Sequence, residues 1–84
     1  MSEYIESQIL DFIRAELIDA AGQDAVDPDE NLFTSGLLDS VGVVRLIAHM
    51  QTRLGVHVPP PDLIPANFRT VRVMAAYLRA LAQR

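Results

Sequence analysis

Residues 36–55 read GLLDSVGVVRLIAHMQTRLG, and how this stretch is read decides the fold. Asp39 and Ser40 are both helix-starting residue types, Gly55 is a helix stop, and the residues from 39 or 40 to Leu54 lack proline. Val43, Val44, Ile47, Met50 and Leu54 recur at helical spacing and are expected to face inward. Val41, Arg45, Ala48, His49 and Thr52 lie off that stripe, on a face that partner proteins could touch. One polar residue suffices to start a helix, and this one has two. The first turn of a helix has unpaired N–H groups and the positive end of the dipole, which suit a phosphate as well as a cap. The residues alone leave both roles open for Ser40.

Upstream, Ile5, Ile9, Phe12, Ile13 and Leu17 mark one face of an amphipathic helix over residues 2 to about 21, with Gly22 placed to end it. The following GQDAVDPDENLFTSG, residues 22–36, reads as a long loop with one short turn at 30–33, pinned to the core by Leu32 and Phe33. A loop longer than about 12 residues in so small a chain suggests that it has a task. Downstream, VHVPPPDLI, residues 56–64, cannot be helical through its prolines, whereas Pro65 suits the first position of a short helix over Pro65–Phe68. Thr70 is a good cap for a last helix whose buried stripe is Val71, Met74, Ala75, Leu78 and Leu81. The expected fold is all-α: a small four-helix bundle, three main helices plus one short one, with the long loop between the first and second, forming a single domain over residues 1–84.

With 84 residues, 50% of them hydrophobic and 21% charged, the composition is that of a small globular domain with little room for an enclosed active site. There is no cysteine, hence no disulfide framework or thiolate metal site. No apolar run approaches the roughly 20 residues of a membrane span, and no basic-then-apolar leader opens the chain, so a cytoplasmic protein without membrane contact is expected. Charge is divided: ten of the eleven acids lie in residues 1–42 beside a single base, Arg14, and the other six arginines follow. Lysine is absent and the arginines are not interleaved with aromatics, which gives nucleic-acid binding no footing.

Catalytic and metal readings fail on spacing. His49 lies nine residues beyond Ser40, a helical rise of about 13.5 Å, too far for a hydrogen bond between them. Asp27, Asp29 and Asn31 occupy the first, third and fifth places of a calcium loop, but Leu32 stands where glycine is needed and Leu38 where a bidentate glutamate is needed. These polar residues are expected to form turns, and two histidines eight residues apart make no transition-metal cluster. The chain is not expected to be an enzyme.

The stretch NLFTSGLLDSVGVVRLIAHMQTRLGVHVP, residues 31–59, resembles the signature of acyl and peptidyl carrier proteins. The loop ends in Gly-Leu-Leu-Asp-Ser, an apolar residue follows the serine, and an amphipathic helix runs to Leu-Gly before a Val- and Pro-containing segment. The first helix, the VDPDENLF loop and the final FRTVRVMAAYL fall where that family places its elements. The resemblance implies that Ser40 is esterified by the phosphate of 4'-phosphopantetheine, donated from coenzyme A by a phosphopantetheinyl transferase, and that the thiol of the arm holds cargo as a thioester. It further implies that Asp39 caps the helix and is read by the transferase, that Gly36 permits the loop to turn, and that Leu37 and Leu38 anchor or flank it. Partners implied are the transferase, a loading enzyme that adenylates or transfers an acyl group, and an acceptor enzyme; the chain itself is expected to be a monomer.

Between Val41 and Leu54 there is no acid, and Arg45 and Arg53 stand there instead, unlike the acidic second helix of many fatty-acid carriers. In this the chain resembles free-standing carriers of activated amino acids, such as D-alanyl carriers, or of specialised extender units. An amino acid is the first-choice cargo and a small carboxylic or malonyl-type unit the second. A helical interaction module with this fold but no prosthetic group is the alternative.

Overall fold

The computed structural model describes residues 2–17 and 27–83. Four α-helices form over Ser2–Phe12 (α1), Ser40–Leu54 (α2), Pro65–Phe68 (α3) and Val71–Ala82 (α4), and there is no strand among the described residues. The expected all-α arrangement of three main helices and one short one is what forms. α1 packs mainly on α4 and also on α2, and α3 packs on α4. Ile5, Ile9, Phe12 and Ile13 from the first segment meet Leu46, Ile47 and Met50 of α2 and Val71, Met74, Ala75 and Leu78 of α4 in one apolar core.

The first helix departs from a plain α-helix after Phe12. Ile13–Leu17 is a π-helical turn, and the expected continuation to residue 21 and the stop at Gly22 lie outside the described residues, as does the Leu17 side chain. Periodicity counted by threes and fours cannot register a switch to i→i+5 bonding over one turn.

α2 begins and ends where its punctuation places it. Asp39 is the N-cap, its side chain accepting from the Gly42 N–H at 2.7 Å, and Gly55 closes the helix at φ 67° with its N–H donating to the Gln51 carbonyl. One inward assignment is corrected. Val44 is 64% exposed, while Gly42 and Leu46 are buried with Ile47 and Met50; Val43 and Leu54 are partly buried. At about 100° per residue, residues 42, 46 and 50 form the centre of the buried arc and Val44 falls beyond its edge.

The proline-rich segment is also corrected. Pro60–Asp62 is a 3-10 turn opened by two prolines. Their missing N–H groups fall in a first turn, where they would have been unpaired in any case. Tyr77 Oη donates to Asp62 Oδ2 at 2.6 Å, and Phe68 meets the Tyr77 ring edge-on at a centroid distance of 5.6 Å. These contacts fix the 60–68 segment against α4. Thr70 caps α4 as expected, its hydroxyl accepting from the Val73 N–H at 3.0 Å, and of the α4 stripe only Leu81 is less than fully buried.

Candidate functional site

The segment leading into Ser40 is held by side chains that serve their own backbone. Asp27 Oδ1 accepts from Asp29 N–H at 2.8 Å, and Asn31 Oδ1 accepts from Phe33 and Thr34 N–H at 3.0 and 3.1 Å. Both are turn-forming roles, as the spacing suggested, and the main turn runs over residues 32–36 where the sequence predicts 30–33. Asp29 pairs with Arg72 at 2.7 Å, and the Arg72 N–H donates to the Pro28 carbonyl, which fastens this segment to α4. The Asp29 hydrogen bond and charge raise the Arg72 pKa above its ordinary value.

Gly36 has φ 85°, a conformation that glycine adopts without the penalty other residues incur. The chain then reverses so that Leu38 N–H donates to the Leu32 carbonyl at 3.0 Å, and Leu32 N–H donates to the Arg69 carbonyl at 2.7 Å. Leu32 and Leu38 are both buried in the core, Leu37 and Phe33 partly so. Leu38 is thus the anchor immediately before the Asp-Ser pair.

Ser40 is the first residue of α2 and is exposed. Asp39 has already taken the Gly42 N–H, so capping does not require the serine, and among the described residues no hydrogen bond engages its hydroxyl. The Ser40 and Val41 N–H groups belong to the first turn, where helix geometry provides no intrahelical acceptor. An exposed hydroxyl beside two such donors, at the positive end of a 15-residue helix, is suited to carry a phosphodiester. Replacing Asp39 by alanine is expected to cost about 1 kcal/mol in a urea titration, because the Gly42 N–H loses its acceptor.

The rest of α2 divides into faces. Val41, Ala48 and Thr52 are exposed, with Thr52 Oγ1 donating to the Ala48 carbonyl at 3.2 Å. Arg45 and His49 turn toward α1. Arg45 Nη2 meets Glu16 Oε2 at 3.0 Å and lies 6.0 Å from the centre of the Phe12 ring, and the His49 ring lies 4.9 Å from the same ring. One turn on, Arg53 Nε donates to Gln8 Oε1 at 3.1 Å. The five expected partner-facing residues share one side of α2: Val41, Arg45, Ala48 and Thr52 are exposed, and Arg45 and the half-buried His49 lean on Phe12 at its α1 edge.

On the opposite flank of α2 lies a groove of about 630 Å³ between that helix and the 58–68 segment. Ser40 stands in its wall with Val44, Ile47, Leu63, Ile64 and Phe68, and among the described residues no charged side chain lines it. The sequence gives no sign of this groove, because Leu63 and Ile64 follow a proline run whose 3-10 turn sets their direction.

Residues 11–78 match the family model described as a phosphopantetheine attachment site. The chain belongs to that family. Its prosthetic group is 4'-phosphopantetheine, attached covalently, whose terminal thiol supplies the thioester chemistry. The chain is 46% identical over 66 residues to D-alanyl carrier protein 1 of Lactiplantibacillus plantarum, covering 77% of this chain and 82% of that protein. It is 42% identical over 70 residues to the D-alanyl carrier protein of Lacticaseibacillus casei, covering 81% and 82%. A probable acyl carrier protein, PigG, of a Serratia species is 27% identical over 77 residues, covering 92% and 87%. The exposed first-turn hydroxyl and its neighbouring N–H groups fit the group this family bears. No helix among the described residues is long and apolar enough to cross a membrane.

Proposed function

We propose that the chain is a free-standing aminoacyl carrier, with Ser40 as the attachment point and D-alanine as its cargo. The observation behind the attachment point is the division of labour at α2, where Asp39 caps and Ser40 is left exposed in the first turn. In the loading step Ser40 Oγ forms a bond to the phosphate of coenzyme A that bears the pantetheine arm. The pyrophosphate bond breaks, adenosine 3',5'-bisphosphate leaves, and the serine proton goes to a base of the transferase. Leu38 and Gly36 hold the approach to that hydroxyl, and the carrier displays the arm while its partners supply the catalysis. Reliance on coenzyme A supports a cytoplasmic location for the reaction.

The cargo reading rests on the D-alanyl carriers among the similar proteins. An aminoacyl thioester carries an ammonium group, which would lose its hydration in an apolar groove without gaining a counter-charge. Such a cargo is therefore held outside, open to the acceptor enzyme. A small apolar carboxylic unit is the second reading, favoured by the same groove. The arm-bearing chain is offered D-alanine and ATP with an adenylating D-alanine ligase, and separately a short acyl group from its coenzyme A thioester with an acyl-transferring enzyme. A mass gain of one alanyl group, removed by hydroxylamine, is expected. Acylation by the second route alone would overturn the cargo assignment.

A further inference from the structure

Gln8, Phe12 and Glu16 of the first segment meet Arg53, His49 and Arg45 of α2, in steps of four residues on each side and in opposite directions. The third of these contacts is one that a regular helix would not provide. At about 100° per residue, a straight α-helix would place Glu16 within about 20° of both Ile5 and Ile9, which are fully buried. Glu16 would then point into the core, where among the described residues no polar or charged residue is buried. Ile13–Leu17 is a π turn instead, and i→i+5 bonding advances less per residue, so Glu16 stops short of the buried arc, at its Phe12 edge. There its side chain is 50% exposed and Oε2 meets Arg45 Nη2 at 3.0 Å.

We infer that Glu16 sets the register of the end of the first segment: its charge cannot enter the core, so the chain takes one π turn, and that turn delivers the acid onto Arg45 as a clamp between the first segment and α2. Local preference runs the other way, because Arg14, Ala15, Glu16 and Leu17 are all good α-helix formers. Two effects could hold the π turn against that preference, and their sizes decide between them. An ion pair exposed on both sides contributes little. Burying an unpartnered carboxylate costs far more than such a pair returns. Avoided burial therefore selects the turn, and the Arg45 pair is its product. Loss of the charge at position 16 lets the segment close as an α-helix, which draws that side chain inward and leaves Arg45 a free cation on the side of α2 that carries Val41, Ala48 and Thr52. None of this depends on what Ser40 bears.

Scalar couplings across backbone hydrogen bonds, measured by NMR on the full chain, show which carbonyl each amide uses. In the unsubstituted chain the amides that close the turn are expected to bond five residues back. Glu16→Leu is expected to move them to carbonyls four residues back. Glu16→Ala, which adds no bulk, is expected to do the same and gives a reading if the leucine variant fails to fold. Arg45→Gln removes the pair but keeps the charge at position 16, and is expected to retain bonding five residues back. In both Glu16 variants the Arg45 Nε–H is expected to exchange with water about two- to fivefold faster, as suits the release of an exposed ion pair. Bonding five residues back that persists in both Glu16 variants would overturn the inference, since the rest of the fold would then set the turn. A switch to four residues back in Arg45→Gln would overturn it as well, because the pair and not the avoided burial would be what holds the register.

Discussion

Phe68→Ala is expected to remove a large share of the stability of the domain, about 3–5 kcal/mol at 25 °C. Phe68 is 1% exposed, packs edge-on against Tyr77, and lines the groove together with Leu63 and Ile64. Truncating a buried phenylalanine costs about 3–5 kcal/mol through lost burial and the cavity left behind. A domain of 84 residues has a total stability of about 4–13 kcal/mol, so this one residue commands much of it. Urea denaturation followed by far-ultraviolet circular dichroism measures the loss. A stability change below about 1 kcal/mol would mean that the site collapses around the smaller side chain and that α3 is not keyed to α4 through this ring.

The second large effect is expected at Leu38, where stability and arm addition are coupled. Leu38 is 3% exposed, and its N–H is bonded to the Leu32 carbonyl, which ties the end of the loop to the core one residue before Asp39. Leu38→Ala is expected to cost about 2–5 kcal/mol. Assayed well below its melting temperature, the folded variant should also accept the arm with kcat/KM reduced about tenfold, because the Asp-Ser pair is no longer held at one position against the transferase. Full stability loss with unchanged kcat/KM would show that the α2 cap alone fixes Ser40 and that the loop anchor is dispensable for recognition.

Much of the fold was legible because it is punctuated locally. Asp39, Gly55, Pro65 and Thr70 mark helix ends by their own chemistry, and each acts as its residue type predicts. Leu32 could be assigned to the core although it lies in a loop, since a lone Leu-Phe pair among polar residues has few other uses. What escaped the sequence depends on direction in space. A stripe written by threes and fours cannot separate Val44 from Leu46 without knowing which arc of α2 the other helices cover. The π turn at Ile13–Leu17 and the contact that Glu16 within it makes with Arg45 of α2 likewise carry no mark in the apolar spacing of the first segment.

The site divides in the same way. Gly36, Leu38, Asp39 and Ser40 fall within five residues and were grouped by the resemblance of that stretch to carrier proteins, and the positive φ of Gly36 and the Asp39 cap supply physical content for the pattern. Arg45 and His49 were assigned to an outer face from helical angle. Arg45 is exposed and His49 half-buried there, and both also lie over Phe12, an aromatic ring 33 and 37 residues earlier that no count along α2 could have brought near. The groove was invisible for a related reason: Val44 comes from α2, and Leu63 and Ile64 from a turn whose orientation is fixed by the Tyr77–Asp62 hydrogen bond.

The central claim is that Ser40 carries the arm, and intact-mass measurement tests it most directly. The arm-free chain and its Ser40→Ala variant are each incubated with coenzyme A and a broad-specificity phosphopantetheinyl transferase, and the modified protein is digested to locate the added mass. The unsubstituted chain is expected to gain the mass of one phosphopantetheine on the peptide containing Ser40, with no gain in Ser40→Ala. Equal gain in the two proteins, or no gain in either, would contradict it.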